Sequence, residues 1–364
     1  MTVRLGPRPG YILPPRRGAM VVLGIESTAH TASVGVVDEG ARVVALASSM
    51  YRPERGGIHP REAANHHVDV LPELVRRVLE EGRVAPSEID AVAFAQGPGL
   101  GPCLRAGATV ARLLALAWRR PLVPVNHCVA HVEIARILSG LEDPILLYAS
   151  GGNTQVIAHA RGRYRVLGET LDVGIGNFLD KLWIEFGGTF PGGPALEREA
   201  LEGTELHPLP YSVHGMDVAF SGMMTAALAL HAKGVPRPDL AYSVEVTAYA
   251  MLTEITERAL AHLRGHGVVL GGGVACNERL RGMVRSMVEG RGGTMFAPPR
   301  SLCVDNGAMI AWTGLLAHRS GVSVPVAGSA VEPRQRTDLV PTPWRPTPGQ
   351  GPHPSLDAPV GAVS

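Results

Sequence analysis

At 364 residues the chain is about two domains' worth of sequence. Its 45% apolar and 18% charged content excludes a disordered, coiled-coil or collagenous protein. A net charge of only +1 leaves no global positive field, so any nucleic acid must be met by a local basic patch or by partner subunits.

Residues 1–19 carry Pro, Gly and Arg without periodicity and predict a disordered extension. Pro14 and Pro15 stand where a secretory signal needs its apolar stretch, so the expected compartment is the cytoplasm. The segment "VVLGIESTAHTASVGVVDEG" then reads as strand, small polar turn and strand. Residues 91–95 predict a buried strand leading through "QGPGLGPCLRAG" into a helix to Trp118, followed by a strand at 122–125. That is a βαβ unit and hence a parallel sheet. The helix is the most apolar stretch of the chain, but Arg112 breaks it and Arg119, Arg120 and Pro121 stop it, short of the roughly 18 apolar residues of a membrane span.

At "ILLYASGGNTQVIAHARGRYRVL" strand, small polar turn and strand recur, roughly 120 residues after the first, a spacing longer than a solenoid repeat. The recurrence suits a duplicated domain with one phosphate-facing hairpin per half, and equally two ordinary hairpins. Apolar residues at 244, 248, 251, 252, 255, 259 and 263 place a helix within 238–265. A strand at 268–270 runs into "GGGVACNERLRGMV". The final helix is expected from about Asp305 to His318, with Ala308, Ala311, Gly314 and Ala317 on one closely packed face. From Pro341 onward, seven prolines and little apolar content predict a disordered tail.

Cys103, Cys128, Cys276 and Cys303 form no C-x-x-C pair, which suggests neither a zinc ribbon nor a disulfide framework. Only Lys181 and Lys233 are lysines, and asparagines number six. Asn126, Asn153, Asn177, Asn277 and Asn306 nevertheless fall in Gly-rich or His-containing segments, which marks those segments as the candidate site.

His127 and His131 sit four apart in "VNHCVAHVEIARIL". On a helix both imidazoles project from one face, the spacing of two metal ligands and also of two satisfied histidines at a helix start. Cys128 occupies the position where a thermolysin-like peptidase needs its Glu, which excludes that reading. A second cluster, His59, His66 and His67, suits packing or a surface contact, because adjacent helical residues point about 100° apart. Three Gly-rich turns, at 97–101, 151–153 and 271–273, match neither a Walker A loop nor a full dinucleotide fingerprint. Taken with the paired hairpins they suggest an actin-like nucleotide cleft. Asp172, Asp180 and Glu197 offer carboxylates for ribose hydroxyls or for helix caps, and Asp305 offers an N-cap, a metal ligand or both.

Together "GIESTAHT", "GIHPREAANHH", "QGPGLGP", "VNHCVAHVE", "YASGGNTQV", "GETLDVGIGN", "FPGGPALE", "AFSGMMTA", "GGGVACNERLR", "CVDNGAMIA" and "RQRTDLVPTPWR" resemble one family. It is that of the universal tRNA threonylcarbamoyladenosine transferases, in the archaeal and eukaryotic branch that supplies the catalytic subunit of the KEOPS complex. The resemblance runs from residue 20 to about 345. It implies an α/β, actin-like (ASKHA) duplicated fold with a nucleotide and metal cleft between two lobes. The first lobe is expected over 20–125, completed by the helix at 305–320, and the second over 126–304. A family C-terminal segment would fill 321–345, and a disordered tail 346–364.

The implied reaction moves a threonylcarbamoyl group from threonylcarbamoyl-AMP to the exocyclic amine of the adenosine next to the anticodon of tRNAs reading ANN codons, releasing AMP. The implied ligands of one divalent metal, Fe(2+) in preference to Zn(2+), are His127, His131, Tyr148 and Asp305. The implied substrate contacts are Tyr148, Ala149, Ser150, Gly151 and Gly152, with Asp180, Gly193, Glu197 and Asn277 around the nucleoside. The implied partners are tRNA and the other KEOPS subunits, namely a small kinase-like ATPase, a dimerising subunit and an accessory subunit, with no membrane. No general base is assigned. A sugar-kinase-like ATPase or a carbamoyltransferase shares the fold, but the kinase needs a catalytic acid and only Glu26 is available. A non-catalytic scaffold predicts lost ligands, whereas all four are present.

Overall fold

The computed structural model describes residues 18–53 and 56–345, so the expectations for 1–17 and 346–364 lie outside the described residues. In chain order the first half comprises β1 Val21–Glu26, β2 Thr31–Asp38, β3 Val43–Met50, α1 Pro60–Gly82, β4 Ala91–Gly97, α2 Gly101–Trp118 and β5 Leu122–Asn126. Next come α3 His127–Ser139, β6 Ile145–Ala149, β7 Thr154–Ala160, β8 Arg163–Glu169, α4 Ile175–Glu185 and α5 Gly193–Ala200. A short ribbon, β9 Val213–His214 and β10 Asp217–Val218, precedes α6 Ser221–Ala232 and α7 Arg237–Leu263. The last elements are β11 Gly267–Gly271, α8 Glu278–Gly290, β12 Thr294–Phe296, α9 Arg300–Cys303 and α10 Gly307–Arg319.

The two large sheets repeat one plan. In the first, β3-β2-β1 is an antiparallel meander and β4 and β5 add to β1 in parallel. In the second, β8-β7-β6 is the meander and β11 and β12 add in parallel. The recurrent hairpins at β1–β2 and β6–β7 therefore occupy equivalent places, and their turns, at 27–30 and 150–153, open at the same end of each sheet as the loops after β5 and β11. In open α/β sheets a ligand crevice forms at the carboxyl ends of the parallel strands.

Alternation along β1 sends Val21, Leu23 and Ile25 into a core shared with α1 and α2, and Val22 toward the core between the sheets. Both faces are apolar because helices cover both. The middle core, with Val22, Val129, Leu146, Tyr148 and Ile310, is where α3 and α10 lie. On the far side of the second sheet, α4 to α8 close the remaining core around Leu147, Phe178 and Leu252. Helix α10 lies almost in backbone contact with the first sheet: a Cβ at Gly24 would stand 2.5 Å from Gly307 O, and one at Gly307 would stand 2.5 Å from Val34 C. Asn306 caps α10, its side chain accepting from Met309 N, and Ser33 Oγ accepts from Gly307 N at 2.9 Å. The cap is thus one residue after the expected Asp305, which leaves that carboxylate free for another use.

The disordered tail expected from Pro341 is corrected for residues 341–345. Trp344 is 6% exposed and its Nε1 donates to the buried Glu133 at 2.7 Å, while Arg345 pairs with Asp143. One indole and one guanidinium give this proline-rich stretch enough burial and charge pairing to hold it against α3. Among the described residues no helix is long and apolar enough to cross a membrane.

Candidate metal centre and nucleotide cleft

Strand β5 ends at Asn126, whose side chain accepts from Val129 N and so starts α3 at His127. The cap leaves His127 and His131 one helical turn apart on the face turned to the second sheet, with ring centroids 4.8 Å apart. Alternation along β6 turns Tyr148 to the same layer, and its Oη lies 2.7 Å from His127 Nε2. Asp305, released from capping, puts Oδ1 at 3.2 Å from His131 Nε2 and 3.4 Å from His127 Nε2. His127, His131 and Asp305 each present a ligand atom within 4.8 Å of the others. Two imidazoles, a carboxylate and a phenol are a donor set suited to iron or zinc.

The electrostatics suit a cation. Burial would lower the His127 pKa, but Glu26 and Asp305 outweigh it and raise it to about 9. Burial alone would raise the Asp305 pKa, yet His127 and His131 hold it well below the usual carboxylate range. His131 is lowered, first by burial, and burial also pushes the Tyr148 phenol up. Glu26 and Asp305 set two carboxylates against the imidazole pair, a charge that a cation would balance.

Glu26 is a residue to which sequence reasoning gave no role at the site, naming it only as the one acid open to a kinase. It is fully buried, Oε1 accepts from both Thr28 N and Thr28 Oγ1 at 2.6 Å, and Oε2 lies 2.9 Å from His127 Nδ1. It orients an imidazole and does not face a phosphate, which removes the only acid the kinase reading had. A signal was present, since a glutamate ending an otherwise apolar strand on its buried face needs a partner.

The second turn lies beside this centre. Ser150 N donates to Asn153 O, while the amides of Gly151 and Gly152 donate to no group among the described residues. The start of α4 packs directly on this turn: a Cβ at Gly176 would stand 2.7 Å from Gly151 Cα, and one at the N-cap Gly174 2.7 Å from Gly152 C. Ala149 and Gly272 are equally close.

The four nucleoside candidates are engaged to different degrees. Asp180 Oδ1 accepts from Gly192 N at 2.7 Å and Gly193 N at 3.2 Å, and burial raises its pKa. Glu197 Oε1 accepts from Glu278 N. Asn277 is used at both ends of its amide, capping α8 through Leu280 N and donating to the buried Glu245 at 2.7 Å. Asp172 accepts from Phe220 N and Ser221 N at the start of α6, the geometry of the helix cap among its two expected roles. Of the other histidines, His67 is buried within α1 and His59 precedes that helix.

Two five-stranded sheets of one plan, each with a small polar turn at the same end, have the actin-like ASKHA fold. The fold is similar to that of HypF from T. kodakarensis, with a TM-score of 0.59 at 16% identity over 84% of this chain and 48% of that one, a likeness of fold alone. The model of the family TsaD, tRNA N6-adenosine threonylcarbamoyltransferase, matches residues 42–312, and the chain belongs to this family of tRNA-modifying transferases. A protein of Archaeoglobus fulgidus named tRNA N6-adenosine threonylcarbamoyltransferase is 55% identical over 325 residues, covering 89% of this chain and 100% of that one. A Thermoplasma volcanium protein, named as a probable bifunctional tRNA threonylcarbamoyladenosine biosynthesis protein, is 51% identical, and the chain spans 62% of its length.

Proposed function

We propose that this enzyme transfers threonylcarbamoyl from threonylcarbamoyl-AMP to the exocyclic amine of the adenosine next to the anticodon in tRNAs reading ANN codons, and releases AMP. The observation that carries the reading is the convergence of His127, His131 and Asp305 within 4.8 Å, beside a turn with two undonated amides, in a chain of this family. An adenine amine is a poor nucleophile because its lone pair is shared with the ring, so the acyl carbon must arrive activated as an adenylate.

Tyr148 joins His127, His131 and Asp305 in holding one divalent ion, Fe(2+) in preference to Zn(2+). Such an ion supplies a Lewis acid for an acyl oxygen. The amides of Gly151 and Gly152 donate to the oxygens on which charge grows, and residues 148–152 carry the acyl phosphate. Asp180, Gly193, Glu197 and Asn277 surround the nucleoside, Asn277 through an amide already tied to Leu280 and Glu245. Residues 20–125 with the helix at 305–320 form one lobe and 126–304 the other, and 321–345 form the family's C-terminal segment. The protein works in the cytoplasm, within a KEOPS assembly containing a small kinase-like ATPase, a dimerising subunit and an accessory subunit.

Mass spectrometry of tRNA nucleosides after incubation with the protein, those partners and threonylcarbamoyl-AMP is the test. Threonylcarbamoyladenosine at the position beside the anticodon supports the reading. Its absence with metal-loaded protein overturns it.

A further inference from the structure

His127 is held twice, and both holds lead to one turn of the C-terminal segment. Asn126 fixes its main chain, the side-chain oxygen accepting from Val129 N at 3.0 Å and so starting α3 at His127. Glu26 fixes its ring, with Oε2 at 2.9 Å from Nδ1, and Glu26 is itself set by Thr28. Thr28 O in turn accepts from Leu100 N at 2.7 Å, in the Gly-rich turn at 97–101, and the neighbouring Gly99 N donates to Pro333 O at 3.1 Å.

The first hold reaches the same turn, 332–335, through side chains. Asn126 Nδ2 donates to Gln335 Oε1 at 3.0 Å, although the two residues are 209 apart in the chain. Gln335 Nε2 donates to Gln96 Oε1 at 2.9 Å, and Gln96 Nε2 to Ala330 O at 2.9 Å. Three carboxamides thus stand in series between Val129 N, which can only donate, and Ala330 O, which can only accept, so the orientation of each amide is forced. The turn is pressed on the end of β4: Gln96 O accepts from Glu332 N at 2.8 Å, and a Cβ at Gly97 would overlap Glu332 O. Its flanks are anchored on helices, Ser329 to Arg112 of α2 and Trp344 to Glu133 of α3.

We propose, resting on the metal-centre reading above, that Gln335 is a positioning residue for His127: it holds the Asn126 amide in the orientation that caps α3, and so sets how His127 presents Nε2. Asn126 is 3% exposed. With the Gln335 amide removed, its Nδ2 would be a buried donor without an acceptor, which is costly. Turning the amide toward another acceptor relieves that cost and breaks the bond to Val129 N. Glu26 would then steer a ring whose helix start has come loose.

Two variants of the full chain separate this role from general support by the C-terminal segment. Gln335→Leu removes both side-chain bonds, whereas Gln335→Glu keeps an oxygen for Asn126 Nδ2 and loses only the donor to Gln96. Affinity for Zn(2+) is read by competition with a chelator, and Tm on the metal-free proteins. Losing an outer partner of a metal ligand typically costs about 10–100-fold in affinity. Gln335→Leu is expected at the lower end, a weakening of about tenfold, because Gln335 acts through Asn126. Gln335→Glu stays within about threefold of wild type, a bound set below that loss, although both variants melt below wild type. Unchanged affinity in Gln335→Leu overturns the assignment. So does an equal loss in the two variants, which would show that the stability of the segment, and not the Asn126 amide, governs the site. A wild-type chain that binds no Zn(2+), or binds it no better than His131→Ala, instead brings down the metal-centre reading on which the assignment rests.

Discussion

Glu26 and His127 are 101 residues apart in the chain, yet the carboxylate Oε2 of one lies 2.9 Å from Nδ1 of the other. The contact joins the first hairpin to the helix that bears the proposed metal-binding pair. It fixes the imidazole so that Nε2 faces Tyr148 and Asp305. A carboxylate on the distal nitrogen of a liganding histidine typically accounts for 10–100-fold in metal affinity. Glu26→Gln is therefore expected to weaken metal binding by about that factor with the fold unchanged, as read by chelator competition. Equal affinity in the two proteins would remove Glu26 from the site.

His131→Ala takes away one of the proposed ligands. One imidazole of the pair is then missing, and the metal retained after gel filtration should fall well below one equivalent, with transfer lost and the circular dichroism spectrum kept. A full equivalent bound to the variant would show that the ion sits elsewhere.

Gly24→Ala probes the contact between β1 and α10. The added Cβ would stand 2.5 Å from Gly307 O, and both partners are backbone, so neither can swing aside. Overpacking of this kind costs about 1–3 kcal/mol, equivalent to a fall in Tm of about 2–4 °C per kcal/mol. Calorimetry showing an unshifted Tm would mean that the helix rides further from the sheet.

Asp172 sets a pH dependence. Burial would raise its pKa, but the amides of Phe220, Ser221 and Val173 outweigh that and lower it to about 2 from an ordinary value of 3.8. A carboxylate depressed in the folded state adds stability above its unfolded pKa and loses it as pH falls through the folded one. The Tm advantage of wild type over Asp172→Asn should thus be constant from neutral pH down to about 4 and shrink from there to about 2. An advantage that grows on acidification would contradict the capping role.

The isolated chain should bind tRNA weakly. Counterion release scales with the phosphates neutralised, and a net charge of +1 with only two lysines supplies scattered arginines alone. The expected dissociation constant is about 10⁻⁴–10⁻⁶ M at physiological salt, with affinity and turnover both rising when partners are added. Tight, tRNA-selective binding by the purified chain in a salt titration would show that it carries its own recognition surface.

Patterns that act over a few residues were legible without coordinates. The four-residue spacing of His127 and His131, the two strand–turn–strand segments, the βαβ unit at 91–125 and the packed small-residue face of α10 each depend on local periodicity, and the structure contains each of them. What joins them depends on strand order, which hydrophobic alternation does not encode. Glu26 has no histidine partner in view until β1 and β5 are placed in one sheet, two strands apart, with β4 between them. Asp305 reads as a cap, a metal ligand or both until Asn306 is seen to fill the first of those roles. Trp344 belongs to a proline-rich tail until Glu133, 211 residues away, is found to accept its indole N–H. In each case a buried polar group has to be satisfied, and which residue satisfies it is decided by the meeting of the two halves around α3 and α10.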